Sequence, residues 1–304
     1  DAARTLFRSL QAFRSQPEYL QVWPAHGAGS ACGKSMSAVP HSTIGYELRF
    51  NWAFGVTDEG AFVEQVLAGQ PEPPEYFAEM KRRNREGPAI LGGVREPPHR
   101  EPGDLADILA AGGILIDVRA AADFAAGHVP GTLSLPLNKS FNTWAGWLLP
   151  YDIDLYLLGD GSKPGWLYQA VHDLAMIGLD QVAGWFDLRG IELWKAGHGP
   201  LETITQMSPE ELDRRIRNGE VSVIDVRGRS EWEAGHIPGV PNIPLGTLPD
   251  NLDQIPLDRP VVLHCQGGGR SSIGAALLQK LGIDNVANLT GGFGRWKKEN
   301  RETT

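Results

Sequence analysis

Val261-Val262-Leu263-His264-Cys265 is an apolar run that ends in a thiol, and Gln266-Gly267-Gly268-Gly269-Arg270-Ser271-Ser272 follows it directly. A cysteine beside several glycines and an arginine can do anion chemistry. The glycines allow the positive φ that turns successive backbone N–H groups inward. Those N–H groups and Arg270 would stabilise a thiolate, which is the nucleophilic form of the side chain. The expected site is therefore an exposed nucleophile at the mouth of a ring of amides. Such a ring needs two elements to hold it. The run 261–264 reads as a buried strand that delivers Cys265 to its end, and Ile273 to Leu281 reads as a helix. The positive end of that helix adds to the field at the sulfur.

Four residues separate Cys265 from Arg270. Cysteine phosphatases use one residue more, because their ring must surround a phosphate. The shorter ring suits a single sulfur atom carried on the cysteine. The strand-Cys-loop-Arg-helix arrangement resembles the active site of the rhodanese sulfurtransferases. The resemblance implies that Cys265 accepts a sulfane sulfur and that the N–H groups from Gln266 through Gly267, Gly268, Gly269 and Arg270 to Ser271 stabilise it. It also implies that Arg270 neutralises an incoming anion or fixes the loop.

The chain contains a duplication. Leu115-Ile116-Asp117-Val118-Arg119, then Phe124-Ala125-Ala126-Gly127-His128-Val129-Pro130-Gly131 and Leu135-Pro136-Leu137, matches a later stretch residue for residue in spacing. The later stretch is Val223-Ile224-Asp225-Val226-Arg227, then Trp232-Glu233-Ala234-Gly235-His236-Ile237-Pro238-Gly239 and Ile243-Pro244-Leu245. A repeat of this length is domain-sized. Alternating strand and helix patterns predict α/β layers on a mostly parallel sheet, giving two three-layer α/β/α domains. The Asp-Val-Arg and Gly-His-Ile-Pro-Gly signatures are also typical of rhodanese domains. Asp225 and Arg227 are expected to bond each other or nearby backbone. His236 recurs as His128 in the copy without a thiol, which points to a turn rather than a base. Aligning Leu155-Tyr156-Leu157-Leu158 with Val261-Val262-Leu263-His264 puts Gly159 opposite Cys265. The first loop then reads Asp160-Gly161-Ser162-Lys163-Pro164, with no thiol, no matching Arg, and an Asp that would repel a sulfur oxyanion. The first copy is expected to be inactive and to serve as a structural or docking domain.

The N-terminal stretch predicts an amphipathic helix over 4–16 and a short strand over 20–23. Pro24-Ala25-His26-Gly27 follows as a loop with a histidine at a strand end. Together with Ser42-Thr43-Ile44-Gly45-Tyr46-Glu47 and Asn51, it resembles the last part of a metallo-β-lactamase-fold domain, in the branch of persulfide dioxygenases and glyoxalase II-like hydrolases. The resemblance makes His26 a remnant metal ligand at best, because no cluster of further ligands accompanies it. Iron or zinc is expected only with an upstream metallo-fold portion, and the chain is expected to begin inside a larger protein. Ala28 to Ser35 fits a loose phosphate-binding pattern, but Pro40 and its polar neighbours deny it the helix such a loop needs. Cys32 reads as structural. Two polar helices are predicted between 58 and 86, and Gly87-Pro88, Pro97-Pro98 and Pro102-Gly103 read as a linker. The predicted boundaries are 1–88, 89–205 and 206–304.

Composition sets the outer bounds. With a net charge of -9 a nucleic-acid footprint is not expected, and no apolar run approaches the length that spans a bilayer. Two cysteines give no disulfide framework and fit a reducing cytoplasm. The expected activity is transfer of a sulfane sulfur from thiosulfate or a low-molecular-weight persulfide, through Cys265, to a thiol acceptor such as glutathione, with no cofactor. A homodimer is compatible with this reading. Two alternatives stay open: a non-catalytic rhodanese binding module, and part of a persulfide dioxygenase–rhodanese fusion whose metal site lies mostly upstream.

Overall fold

The structure is a computed structural model and describes residues 1–24, 41–68, 74, 76–88 and 90–304. His26, Cys32 and the 28–35 motif lie outside the described residues. The chain divides into two compact units, 1–72 and 73–304.

The first unit carries α1 (Ala2–Arg14), β1 (Gln21–Val22), β2 (Ser42–Thr43), α2 (Ile44–Phe50), α3 (Trp52–Gly55) and α4 (Glu59–Leu67). β1 and β2 pair antiparallel. Side-chain caps set the helix starts: Thr43 accepts from the Tyr46 N–H, and Asp58 from the Ala61 N–H. Phe62 is fully buried and meets Phe7 of α1 at a ring separation of 5.3 Å.

The second unit begins with α5 (Tyr76–Glu86). The sequence grouped this helix with the N-terminal segment, but its side chains pack on the later residues. Tyr76 lies where a Cβ on Gly146 would sit, and Arg83 lies against Gly178 and 5.5 Å from the Tyr151 ring. The division between units therefore precedes α5. Then follow α6 (Asp104–Ala110), β3 (Ile114–Asp117), α7 (Ala121–Ala126), β4 (Leu133–Ser134), α8 (Phe141–Leu148), β5 (Leu155–Leu158), α9 (Trp166–Met176), β6 (Val182–Phe186) and α10 (Arg189–Gly197). The second copy supplies β7 (Thr205–Met207), α11 (Pro209–Arg217), β8 (Ser222–Asp225), α12 (Arg229–Glu233), a 3-10 segment (Leu245–Gln254), β9 (Val261–His264), α13 (Gly269–Lys280), β10 (Val286–Leu289) and α14 (Gly292–Lys298).

The two sheets are parallel throughout, in the orders β4-β3-β5-β6 and β7-β10-β9-β8. The register makes the duplication concrete. Asp117 pairs with Leu158 in the first sheet as Asp225 pairs with His264 in the second. Bridges from His99 to Trp185 and from Asn242 to Asp225 stand where the other copy has a full edge strand. The central strands β5 and β9 are buried along their whole length, as parallel strands covered on both faces must be.

One core cluster runs through both copies. It joins Leu133, Leu135 and Leu157 to Leu245, Leu263, Ala275 and Leu278. α13 lies in the middle of it, packed on its own β9 and β10 and on β4 and α7 of the first copy. Its residues from Ser271 to Gln279 are all buried, so the helix has no solvent face.

Candidate active site

Cys265 follows β9 directly. Alternation along the strand sends Val262 into one core, with Phe293 and Trp296, and sends Val261, Leu263 and Cys265 into the other, against α13. The sulfur sits at the base of the loop. The Gly268 N–H donates to Sγ at 3.1 Å, and the Ser271 Oγ lies 3.4 Å from Sγ and 3.2 Å from the Gly268 carbonyl. Gly268 has φ +97 and is the residue before α13, a backbone state that a side chain would strain. The N–H groups of Gly269, Arg270 and Ser271 form the first turn of α13, which has no intrahelical acceptors for them.

The other end of the loop is oriented by α14. The Phe293 N–H donates to the Cys265 carbonyl at 2.7 Å, and the Gly294 N–H to the Gln266 carbonyl at 2.9 Å. In a planar trans peptide the N–H points opposite to the C=O. Anchoring these carbonyls on α14 therefore points the Gln266 and Gly267 N–H groups away from α14. The close approach requires Gly292: a Cβ there would stand 2.2 Å from the Cys265 carbonyl oxygen, and its φ is +56.

One expectation needs correction, and for Arg270 the geometry favours fixing the loop over neutralising an anion. The thiol is not at the mouth of the cradle, because Cys265 is only 1 % exposed. The first copy covers α13 from outside, and the loop backbone closes over the sulfur. That cover is thin: Gln266, Gly267 and Gly269 are exposed, and the two glycines have open space beyond them. Arg270 does not point a free charge at the ring. It makes a bidentate pair with Glu231, at 2.5 and 2.7 Å, and Glu231 also accepts from the Gly228 N–H at 3.1 Å. The guanidinium holds the Glu231 carboxyl below the usual carboxylate range. Arg270 thus ties the start of α13 to the start of α12.

Sequence reasoning singled out neither Glu231 nor the Gly291-Gly292 pair as part of the site. Adjacent glycines after the β10 run were the available signal for the second. For Glu231 a comparison of the copies was available, because Asp123 stands there in the first one, beside a loop without the arginine.

The motif residues bond to one another and to nearby backbone. Arg227 grips Asp225 through two nitrogens, at 3.0 and 2.7 Å, donates to the Gly235 carbonyl at 2.8 Å and lies 4.1 Å from the Phe293 ring centre. Arg119 repeats this grip on Asp117 and the Gly127 carbonyl. His236 stacks on Trp232 at 3.8 Å with Nδ1 3.0 Å from the Trp232 carbonyl, and His128 stacks on Phe124 in the same way. His264 is fully buried, 3.5 Å from Asp225, and burial lowers its pKa to about 4, so the ring beneath the loop is neutral at pH 7.

In the first copy the cradle is filled. A Cβ on Gly159 would lie 2.7 Å from the Trp166 ring, so a cysteine does not fit there. The Asp160 carboxylate takes the N–H and Oγ of Ser162, at 3.0 and 2.7 Å, which lowers its pKa. Leu188 and Arg189 stand where the second copy has Gly291 and Gly292.

Among the described residues no three His, Cys, Asp or Glu side chains converge as a metal ion requires, and no helix is long and apolar enough to cross a membrane.

Residues 208–299 match the family model of the rhodanese-like domain. The chain is 41 % identical over 96 residues to the uncharacterized protein YqhL of Bacillus subtilis (strain 168), covering 32 % of this chain and 72 % of that protein. It is 33 % identical over 96 residues to a protein of Allochromatium vinosum named sulfurtransferase, covering 31 % of this chain and 90 % of that one. Among solved structures, a metallo-beta-lactamase from Staphylococcus aureus subsp. aureus COL is 34 % identical with a TM-score of 0.47, covering 61 % of this chain. The present chain spans 50 % of that protein's length. With its parallel sheet, its thiol at the end of a central strand and these relatives, the chain belongs to the rhodanese family.

Proposed function

We propose that residues 206–304 catalyse sulfane-sulfur transfer with Cys265 as the carrier. The Cys265 thiolate attacks the outer sulfur of thiosulfate or of a low-molecular-weight persulfide. A bond forms between the two sulfurs, the donor's S–S bond breaks, and sulfite or a thiolate leaves with the electron pair. An acceptor thiolate, such as that of glutathione, then attacks the terminal sulfur of the Cys265 persulfide and releases the Cys265 thiolate. Both steps conserve electrons, so neither requires a redox cofactor. The chain's own part is to hold negative sulfur with fixed dipoles, as an oxyanion hole does.

The observation that carries this reading is the Gly268 N–H donating to Sγ at 3.1 Å from the start of a helix. Membership of the rhodanese family supports sulfur transfer in general; thiosulfate, persulfide and the acceptor belong to the proposal. The test is sulfite release from thiosulfate in the presence of cyanide or a thiol. Cys265→Ala is expected to lose activity by about a thousandfold or more. Full turnover by that variant, or loss of turnover from Cys32→Ala alone, would overturn the assignment.

One observation favours a second reading, a non-catalytic binding module: Cys265 is 1 % exposed. The same assay separates the two, because a binding module releases no sulfite. We also infer that residues 1–72 are a metallo-β-lactamase-fold segment, as their likeness to the Staphylococcus aureus metallo-beta-lactamase sequence supports.

A further inference from the structure

A cleft of about 620 Å³ opens between the two copies. The active copy contributes Gly269 and Arg270 to it, and the first copy contributes Trp144, Trp166, Asp160 and Lys163. We propose that this cleft seats the body of an organic thiol bearing both an ammonium and a carboxylate, an amino acid or short peptide thiol, and that Asp160 and Lys163 read those two charges. The proposal rests on the sulfurtransferase reading above and names the class of its acceptor.

Size is the first argument. Cavities of about 300–1,000 Å³ hold organic molecules of drug size, whereas an inorganic sulfur oxyanion fills a small part of such a space. Position is the second. Gly269 and Arg270 belong to the loop around the sulfur, and Ser271, next in the chain, places its hydroxyl 3.4 Å from Sγ. A ligand in the cleft therefore borders the reactive loop.

Charge is the third argument. The two arginines at the cleft are already matched: Arg270 by Glu231 and Arg119 by Asp117, each through a bidentate pair. Lys163 is 69 % exposed, and its amine stands 3.8 Å from the Asp160 carboxylate, an open pair rather than a closed one. The Ser162 bonds keep Asp160 ionised. A half-buried anion and an exposed cation side by side complement a zwitterion, while Asp160 would repel a simple dianion. The indoles of Trp144 and Trp166 supply an apolar wall for methylene groups. Trp166 is also the side chain that occupies the space of the missing nucleophile. The degenerate loop has thus exchanged an anion cradle for one wall of a cleft.

The experiment uses the whole chain with thiosulfate as donor and compares glutathione with 2-mercaptoethanol, which lacks both charges. Lys163→Glu is expected to lower the preference for glutathione about five- to tenfold, through KM, with kcat within about twofold. Asp160→Asn keeps an acceptor for Ser162 and should lower it about two- to fivefold. Unchanged preference in both variants overturns the inference. Titration with S-methylglutathione, which does not react, reads the cleft without turnover. Binding by the wild type that weakens in Lys163→Glu supports the inference even if thiosulfate is not a donor, and no binding by the wild type overturns it. Absence of thiosulfate:cyanide turnover instead counts against the sulfurtransferase reading alone.

Discussion

Glu231 decides what Arg270 can do. With both guanidinium nitrogens on its carboxylate, the arginine fixes the spacing between α12 and the loop that surrounds Cys265. Glu231→Gln removes the charge while keeping an acceptor, so the fold should persist and the loop should loosen. We expect kcat/KM for sulfur transfer to fall about tenfold, a value suited to one half-exposed ion pair. The pH dependence has a definite sign. Arg270 lowers the Glu231 pKa, so the tether is complete above the ordinary carboxylate range and is lost as pH falls through the lowered value. The wild-type loop should therefore tolerate more acid than an unpaired carboxylate would allow, and a pH–rate profile of wild type against Glu231→Gln checks it. An acid limb unchanged by the substitution would exclude the tether as its cause. Cys265 and Arg270 were legible in the sequence because four residues of spacing carry their relationship. The Glu231 pairing was not, because 39 residues separate the partners and only the fold brings α12 to α13. Burial of the thiol was also hidden, because it arises from how the loop closes and how α13 packs between the copies.

The loop's shape is imposed by the element after it. α14 starts with N–H groups that have no intrahelical acceptors, and two of them bind the carbonyls of Cys265 and Gln266. That contact exists because Gly292 has no side chain. Gly292→Ala would place a Cβ 2.2 Å from the Cys265 oxygen at a residue with φ +56, so either α14 or the loop must move. We expect a destabilisation of about 2–4 kcal/mol and a displaced loop around Cys265. Urea unfolding together with sulfite release tests both: a variant that keeps wild-type turnover would show that α14 does not set the loop. The strands Leu155–Leu158 and Val261–His264 and the alternating α/β class were readable from apolar runs and from the repeated motif, because local pattern dictates them. The role of α14 was not, because Leu289-Thr290-Gly291-Gly292 reads locally as a strand end and a turn, and the reason for Gly292 lies 27 residues away at Cys265.

At the scale of residues 73–304, the duplication predicts two domains, yet the core is continuous between them. α13 carries the active loop and is buried against both sheets' surroundings, and its last turn reaches the first copy directly. The Lys280 amine donates to the Gly131 carbonyl at 2.8 Å, and Gln279 donates to the Thr203 carbonyl at 3.0 Å. Burial lowers the Lys280 pKa, so the bond is made by a group that has given up water to reach it. An element that belongs to both cores couples their stabilities. Leu278, fully buried on α13, tests this. Leu278→Ala should cost about 2–5 kcal/mol, the range for a leucine removed from a packed core. If the copies are coupled, that loss appears in both: amides of β3 and β5 should lose protection from hydrogen exchange in step with those of β8 and β9. Separable copies would behave otherwise, with the first keeping its protection while the second loosens. Coupling would also explain why a copy with a filled cradle keeps a complete sheet, since the helix that presents Cys265 depends on that sheet for its outer wall.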